Sequence, residues 1–233
     1  MIALVTSTLR PGLYSYFSED ERYLQTINTI KRLKVKGFDK IFLFDNSNSK
    51  INIDKIKKDT FQNLNIFHTP QYNFTNKGLN EALLILNNLH NLPDDKQIFK
   101  ISGRYYPTEH FQRSDLQTRI GEAEILGIAY NFERKISFFS TRSYLVRNRE
   151  VLEALLKLSV EEMISYSKGI HGIKSFWSCI KSINKAKLGT EYQLSLEQAF
   201  SKILKVKSNY ALVEKMNIEG FIAGSGHLDL IEE

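Results

Sequence analysis

The chain has 233 residues, 42% apolar and 25% charged, an ordinary composition for a globular protein long enough to form one substantial domain. Its single cysteine, Cys179, excludes an intramolecular disulfide and a metal site built from several cysteines, and fits a reducing compartment best. No apolar run approaches the roughly 20 residues that span a bilayer, and the apolar start lacks the basic region of a signal peptide. The formal net charge of +6 suits an anionic ligand or membrane face, although solvated helix faces explain most of the lysines.

The first half of the chain alternates strand and helix patterns. A short apolar strand at residues 2–5 is followed by a helix, which a capping-box pattern at Ser18 and Glu21 opens and Gly37 closes. Further strands are predicted at residues 40–44, 64–68 and 97–101, and a further helix at residues 79–89. This alternation predicts an α/β fold with a mostly parallel sheet flanked by helices, in which ligands bind at the carboxyl ends of the strands.

The second half of the chain has more helix and less regular alternation. Strands are predicted at residues 123–129 and 136–146, and helices at residues 150–158, at 160–167, around Phe176 and Trp177, and from Ser195 onward. Two short apolar runs, at residues 210–213 and 220–223, precede His227. No repeat, low-complexity tract or Pro/Gly linker divides the chain, so we predict a single domain over residues 1–233.

The segment at residues 97–107 is the most distinctive in the chain. It begins as a buried strand and ends abruptly on Ser102-Gly103-Arg104-Tyr105, which places polar side chains at a strand end. The loop after the first strand contains neither the Gly-X-Gly-X-X-Gly pattern nor a P-loop, which argues against nicotinamide cofactors and against ATP bound in those ways.

The order of these segments resembles that of nucleotide-sugar glycosyltransferases of the GT-A fold, including bacterial surface-polysaccharide transferases. The resemblance spans roughly residues 1–200 and rests on five short, degenerate pieces: Thr6-Ser7-Thr8, Asp45-Asn46-Ser47, Asn76-Lys77-Gly78, the strand at residues 140–147, and Ser195-Leu196-Glu197-Gln198. It implies a single GT-A-like domain with a nucleotide-binding half at residues 1–110 and a helix-rich, acceptor-side half at residues 111–233.

The same resemblance implies an enzyme that moves a sugar from a nucleotide-sugar donor to a hydroxyl of a cell-surface glycan, of the lipopolysaccharide or capsule type. The acceptor would be a glycan or lipid-linked glycan. The enzyme would be cytoplasmic or peripheral at the inner membrane face, and would bind no nucleic acid. Two other classes stay open. A sugar nucleotidyltransferase normally has a glycine-rich loop after the first strand, whereas residues 6–12 contain one glycine; a basic nucleic-acid-binding module needs exposed aromatics, whereas most aromatics here fall in apolar stripes.

The chain departs from the family where Asp-X-Asp would hold Mn²⁺ or Mg²⁺ against the donor diphosphate. It has Ser102-Gly103-Arg104 there, without the carboxylate that hard divalent cations prefer. The leaving diphosphate gains negative charge in the transition state, and a guanidinium grips phosphate bidentately. We therefore predict that Arg104 replaces the metal, so that no cofactor is required; a divalent metal bound elsewhere, and a structural pairing of Arg104 with Glu109, are the alternatives.

The remaining predicted donor-binding residues share positions at strand ends, helix starts or the C-terminal segment: Thr6, Ser7, Thr8, Arg10, Asp45, Lys77, Lys100, Ser102, Tyr105 and His227. Each also has a structural interpretation, such as turn capping for Asp45, solvation for Arg10 and packing for Tyr105. Glu197 is predicted to be the general base that deprotonates the acceptor hydroxyl, or else a first-turn residue that pairs with the Ser195 cap. Inversion at the sugar follows only if Glu197 is the base.

Overall fold

The computed structural model describes residues 1–11, 15–72, 74–168, 192–207, 209–224 and 227–233, with the backbone alone described at 168, 222–224 and 227–229. In these ranges the helices are α1 (Glu19–Val35), α2 (Ile53–Asp59), α3 (Lys77–Asn88), α4 (Arg113–Ile120), α5 (Arg149–Lys168) and α6 (Leu196–Lys207). The strands are β1 (Ile2–Ser7), β2 (Ile41–Asp45), β3 (Asn65–His68), β4 (Ile98–Ser102), β5 (Tyr105–Pro107), β6 (Ile125–Tyr130), β7 (Phe138–Val146), β8 (Tyr210–Leu212), β9 (Ile218–Gly224) and β10 (His227–Glu232). The helix predicted around Phe176 and Trp177 lies outside the described residues.

The central sheet has seven strands in the order β3-β2-β1-β4-β7-β6-β8. Strand β1 pairs in parallel with β2 and β4, and β2 pairs in parallel with β3. Strand β7 runs antiparallel to β4 and β6, while β8 is parallel to β6. The predicted fold class, an α/β domain with a mostly parallel sheet flanked by helices, is confirmed.

The strands in the middle of the sheet are buried because helices cover both faces. Every residue of β1 and β2 is buried, as the continuous apolar runs in the sequence predicted. Leu4 faces a core built with α3, α5 and α6, whereas Ala3 and Val5 face a second core built with α1 and α4. Adjacent residues of one strand therefore anchor two separate helix layers, and this fixes the strand ends rigidly in the middle of the molecule.

A second, three-stranded sheet in the order β10-β9-β5 was not predicted. Its strand β5 follows Arg104 directly, and Tyr105 pairs with Gly220 of β9. A Cβ at Gly220 would overlap the carbonyl oxygen of Arg104 and the ring of Tyr105, so glycine is required for this close approach. The small sheet thus covers the segment that follows β4.

Local signals in the sequence located α1 correctly but divided α5 wrongly. The Ser18–Glu21 capping box is present, with Glu21 Oε2 accepting from the Ser18 amide at 2.8 Å, and Gly37 has a φ of 84° just after the helix. The two helices predicted at residues 150–158 and 160–167 are one helix, since Ser159 lies buried in its middle and no glycine or proline interrupts it. Helix α4 was not predicted. Among the helices of the described ranges, none has the length and hydropathy of a membrane span.

Candidate functional site

The carboxyl ends of β1, β2 and β4 meet at one edge of the central sheet. Ser7 lies opposite Asp45, and Thr6 lies opposite Ser102. Because β7 runs in the opposite direction, its first residues reach the same edge, where Phe138 pairs with the end of β6. We call this edge the crevice and define it by residues 6–10, 45–47, 102–105 and 138–142. It is where ligands bind in open α/β sheets.

Asp45 connects the loop after β1 to the end of β2. Its carboxylate is fully buried and accepts hydrogen bonds from the amides of Leu9, at 2.8 Å, and Ser47, at 2.9 Å. The same carboxylate contacts His68 Nδ1 at 3.1 Å. These contacts match the turn-capping interpretation of Asp45, and its contact with a donor stays a prediction.

The hydroxyl groups that follow β1 each bond another side chain. Thr6 donates to Glu81 Oε1 at 2.6 Å, Ser7 bonds Thr26 at 2.8 Å, and Thr8 donates to Asn46 Oδ1 at 2.5 Å. Arg10 is exposed and lies 3.8 Å from Glu19. The structure therefore brings these four residues to the crevice. The three hydroxyl groups are held by hydrogen bonds to other side chains, and Arg10 lies at the solvent-exposed side of the crevice.

A continuous series of polar contacts crosses the buried centre of the sheet. Lys100 is 1% exposed, and its ammonium lies 2.6 Å from Glu81 Oε1 and also donates to the Thr141 carbonyl. The Thr141 hydroxyl in turn donates to Glu197 Oε1 at 2.9 Å. The series thus runs from Thr6 through Glu81, Lys100 and Thr141 to Glu197. Glu81 was missed from the sequence, although a lysine inside a buried strand signals that a carboxylate must lie nearby.

Arg104 lies at the crevice without a carboxylate partner among the described side chains, for which ion pairs extend to 4.0 Å. Its guanidinium carbon lies 5.7 Å from the ring centre of Tyr105. Glu109, the alternative partner that the sequence suggested, is exposed and lies 3.6 Å from His110 instead.

A second arginine, Arg22, was missed from the sequence. It is 7% exposed; its Nε donates to the Thr8 carbonyl and its NH1 to Gln25 Oε1, both at 3.3 Å. Within the described part of the chain no carboxylate oxygen lies within 4.0 Å of it. Burial, and after it the charge of Arg104, lowers the pKa of Arg22 to about 10. Its only signal in the sequence was a position on the buried side of α1.

Gly103 brings helix α1 against the end of β4. A Cβ at this position would lie 2.9 Å from Thr26 Oγ1 and 3.3 Å from Ser7 Cβ. The Thr29 hydroxyl donates to the carbonyl oxygens of Gly103 and Tyr105, at 3.2 and 2.8 Å. The absence of a side chain at Gly103 therefore accommodates helix α1.

Tyr105 is fully buried at the start of β5. Burial raises the pKa of its hydroxyl, while the charges of Arg104 and Arg142 act in the opposite direction. Its ring packs in the same core as α1, which matches the packing interpretation; its contact with a donor stays a prediction.

A cavity of about 290 Å³ adjoins the crevice on the β7 side. It is lined by Tyr130, Phe138, Ser140, Thr141, Arg142, Ser195 and Glu197. Ser195 and Gln198 cap α6 reciprocally, with both bonds at 3.2 Å, so Glu197 is not the capping partner. The structure therefore places the predicted base in the wall of a cavity, where the Thr141 hydroxyl holds one of its oxygens.

Arg142, which lines this cavity, forms a partly buried ion pair with Glu233, and both residues were missed from the sequence. Glu233 is 4% exposed and also accepts from the hydroxyls of Tyr130, at 2.6 Å, and Ser140, at 2.9 Å. Burial and the bond to Glu233 raise the pKa of Tyr130. Although burial alone would lower it, Glu233 raises the pKa of Arg142, so this arginine stays charged and Glu233 compensates its charge within the protein.

The remaining predicted residues are less closely gathered. Lys77 is exposed in the first turn of α3, beside Asn76, which caps that helix and also donates to the carbonyls of residues 192 and 194. Ser102 is half-buried at the end of β4. His227 begins β10 opposite Gly224, and its side chain lies outside the described part of the chain.

The end of β4 does not fit a hard divalent cation. Ser102 and Arg104 offer a hydroxyl and a guanidinium, neither of which replaces the carboxylate oxygens that Mg²⁺ or Mn²⁺ prefers. In the described ranges, no three histidine, cysteine, aspartate or glutamate side chains are grouped as a metal site requires.

No family model matches the sequence, and no curated protein matches it. Solved structures do match. The galactosyltransferase LgtC, in complex with donor and acceptor sugar analogs, has a TM-score of 0.57 at 9% identity, over 91% of this chain and 73% of that one. An active-site mutant of LgtC has a TM-score of 0.56 at 9% identity, over 97% and 88% of the two chains.

The apo glycosyltransferase GlyE of Streptococcus pneumoniae TIGR4 has a TM-score of 0.50 at 14% identity, over 91% of this chain and 45% of that one. The fold is that of GT-A-like glycosyltransferases. At such identities the likeness establishes the architecture, and the activity has to be argued from the crevice itself.

Proposed function

We propose that this protein is a glycosyltransferase that moves a sugar from a nucleotide-sugar donor to a hydroxyl of a glycan acceptor. The observation that carries the proposal is the placement, at one sheet edge, of Arg104 without a described carboxylate partner and Glu197 in a cavity wall. The reaction needs a cation for the leaving diphosphate and a base for the acceptor hydroxyl. The sugar analogs bound by LgtC, which shares the fold, support the same assignment.

On the donor side, Arg104 stabilises the departing nucleoside diphosphate. As the bond between the anomeric carbon and the diphosphate oxygen breaks, the electron pair stays on that oxygen and the guanidinium compensates the growing charge. Because the end of β4 does not fit a divalent cation, the proposed transfer proceeds without one. Thr6, Ser7, Thr8, Arg10, Asp45, Lys77, Lys100, Ser102, Tyr105 and His227 stay as proposed donor-side residues, contacting the donor or supporting its site.

On the acceptor side, Glu197 takes the proton of the acceptor hydroxyl while the new bond to the anomeric carbon forms. The Thr141 hydroxyl orients Oε1, and no described residue bonds Oε2. The cavity of about 290 Å³ is just smaller than the roughly 300–1,000 Å³ typical of ligand pockets, which suits a terminal sugar. Because the acceptor hydroxyl activated by Glu197 attacks from the side opposite the leaving diphosphate, the configuration at the anomeric carbon is inverted.

The acceptor proposed for this site is a cell-surface glycan, free or linked to lipid, so that residues 1–110 serve the donor and residues 111–233 the acceptor. The net charge of +6 supports peripheral attachment to an anionic membrane face in the cytoplasm, where lipid-linked acceptors are displayed.

Thermal unfolding with UDP-, GDP-, CDP- and dTDP-sugars, in EDTA, tests the proposal. We expect one nucleoside diphosphate series to raise the unfolding temperature, and the sugar of that series to be transferred. A rise with nucleic acid alone would contradict an enzyme of this kind. Release of pyrophosphate from a nucleoside triphosphate and a sugar phosphate would instead identify a sugar nucleotidyltransferase.

Replacing Glu197 by Gln tests the base. An amide still accepts the Thr141 hydrogen bond but takes no proton, so we expect kcat to fall by about 10²- to 10⁴-fold with donor binding unchanged. The exposed Glu214→Gln is the matched control. Full activity of Glu197→Gln, or a product with the retained anomeric configuration by NMR, would remove Glu197 from the mechanism.

A further inference from the structure

Arg22 is a buried cation whose described contacts do not neutralise it. Its guanidinium donates to a carbonyl oxygen of Thr8 and to the amide oxygen of Gln25, and both acceptors are uncharged. Burying a charge without an opposite charge is costly, and proteins avoid it unless the position is used. The described contacts of Arg22 therefore do not account for the burial of its charge.

The packing of α1 brings Arg22 to the same place as Arg104. Thr29 is bonded to the carbonyls of Gly103 and Tyr105, on either side of Arg104, and Thr26 touches Gly103. Arg22 lies one helical turn before Thr26, whose hydroxyl donates to the Arg22 carbonyl at 2.9 Å. This packing brings the backbone of Arg22 near that of Arg104, and the charge of Arg104 lowers the pKa of Arg22, so the two cations lie close enough to repel each other.

The surrounding charges do not offset this pair. Lys100 is matched by Glu81, and Arg142 by Glu233. Asp45 attracts Arg22 from a distance, but its oxygens already hold the amides of Leu9 and Ser47. These two guanidinium groups therefore lack a counter-charge among the described residues. An anion with more than one negative charge would supply it.

We infer that Arg22 and Arg104 together form a binding site for a diphosphate group, in which each guanidinium grips one phosphoryl group. The inference rests on the proposed function, since it makes Arg22 the second arginine of the donor site. It goes further in stating that the two arginines recognise the diphosphate itself, so that inorganic pyrophosphate binds without nucleoside or sugar.

Isothermal titration calorimetry with inorganic pyrophosphate, in EDTA at fixed ionic strength, measures the binding affinity that tests the inference. We expect the wild-type protein to bind pyrophosphate more tightly than orthophosphate. We expect Arg22→Met and Arg104→Met each to weaken binding at least 10-fold. Arg32→Met removes the same charge from the exposed side of the same helix and should change binding less than twofold.

A purely structural Arg22 is distinguished by thermal unfolding of the ligand-free variants. An uncompensated cation destabilises the protein without its ligand, so Arg22→Met should unfold at a higher temperature than the wild type. A structural arginine would give a lower one. Arg22→Lys keeps the charge without the planar fork, and provides a second variant with intermediate binding.

Equal binding of pyrophosphate by the wild type, Arg22→Met and Arg22→Lys would overturn the inference, as would no binding of pyrophosphate by the wild type. Failure of the proposed function looks different. Pyrophosphate would then bind through both arginines, while no nucleotide-sugar would be bound or consumed. Transfer that survives Arg22→Met unchanged would retain the proposed function and remove Arg22 from it.

Discussion

Two buried cations lie on either side of β1, and the protein surrounds them differently. Lys100 has a carboxylate at 2.6 Å and a carbonyl acceptor, so its charge belongs to the scaffold. Arg22 has only neutral hydrogen-bond acceptors, and burial, followed by the charge of Arg104, lowers its pKa. Both cations are buried, but the charge of Lys100 is compensated within the protein, whereas in the proposed site the charge of Arg22 is compensated by a ligand. The presence of a carboxylate, more than burial, separates the two cases.

The Arg142–Glu233 pair belongs with Lys100 in this comparison. Besides the ion pair, the Glu233 carboxylate accepts hydrogen bonds from the hydroxyls of Tyr130 and Ser140, so its charge is compensated within the protein. Compensated charges thus adjoin the cavity, which Arg142 lines, whereas Arg22 and Arg104 have no described carboxylate partner. Under the proposed function, the negatively charged ligand binds at these two arginines.

The largest effect is expected when the compensated pair is broken. Lys100→Met leaves Glu81 without its cation in a largely buried position, and we expect the free energy of unfolding to fall by about 3 kcal/mol. Urea denaturation measures this loss. The double variant Lys100→Met/Glu81→Leu should recover more than half of it; a double variant as unstable as the single one would show that the pair does not act as a unit.

Gly103 separates the two regions and provides the next largest effect. In Gly103→Ala the new methyl group meets Thr26 Oγ1 at 2.9 Å and must push α1 away from β4. We expect a loss of about 1–2 kcal/mol in the free energy of unfolding, with weaker pyrophosphate binding because Arg22 and Arg104 move apart. Unchanged binding in a destabilised variant would mean that their spacing is not set by this contact.

Removing the uncompensated charge should have a smaller effect of the opposite sign. Burial lowers the pKa of Arg22 to about 10, so its charge destabilises the folded protein at neutral pH, and the two hydrogen bonds lost on substitution, worth about 1 kcal/mol each, offset only part of that cost. We therefore expect Arg22→Met to raise the free energy of unfolding by about 1 kcal/mol.

The sign can also be checked against pH. The folded pKa of Arg22, about 10, lies below the unfolded one, so in the pH range between the two values the unfolded state binds more protons and this residue's contribution to stability rises with pH. Urea denaturation at pH 7 against Arg32→Met measures the charge effect itself. If Arg22→Met instead lowered the free energy of unfolding by more than 1 kcal/mol, Arg22 would be a structural cation like Lys100.

The smallest effect concerns an exposed, compensated charge on the same helix. The Ser18 amide and hydroxyl lower the pKa of Glu21 from its ordinary value of 4.5, so its stabilising contribution is present above that value and is lost as the pH falls through the lower folded pKa. Glu21→Gln should lower the unfolding temperature at pH 7 and approach the wild type near pH 3. An equal difference at both pH values would exclude a role for the charge.

Much of the fold could be predicted because its signals are local. Continuous apolar runs located β1, β2 and β4, and the Ser18–Glu21 box located the start of α1. The second sheet could not be found this way, since Tyr105 pairs with Gly220 more than 100 residues later in the chain. Such pairing depends on how distant segments meet, and short runs at residues 218–224 carry no mark of it.

The candidate site divides along the same line. Arg104 could be singled out because Ser102-Gly103-Arg104 interrupts a buried strand, and Glu197 because of its place at a helix start. Arg22 and Glu81 were missed since each is an ordinary charged residue of an amphipathic helix until tertiary packing turns it inward. Whether such a charge finds a carboxylate is decided by the neighbouring elements and leaves no trace in its own helix.

Whether Arg104 replaces a divalent metal is measured by the release of nucleoside diphosphate in EDTA, from the donor that thermal unfolding identifies, with the wild type and Arg104→Ala. We expect the wild type to keep its turnover without divalent metal and the variant to lose at least 100-fold in kcat, with its circular dichroism unchanged. Loss of wild-type activity in EDTA with recovery in Mn²⁺, or full activity of Arg104→Ala, would show that Arg104 does not take the place of the metal.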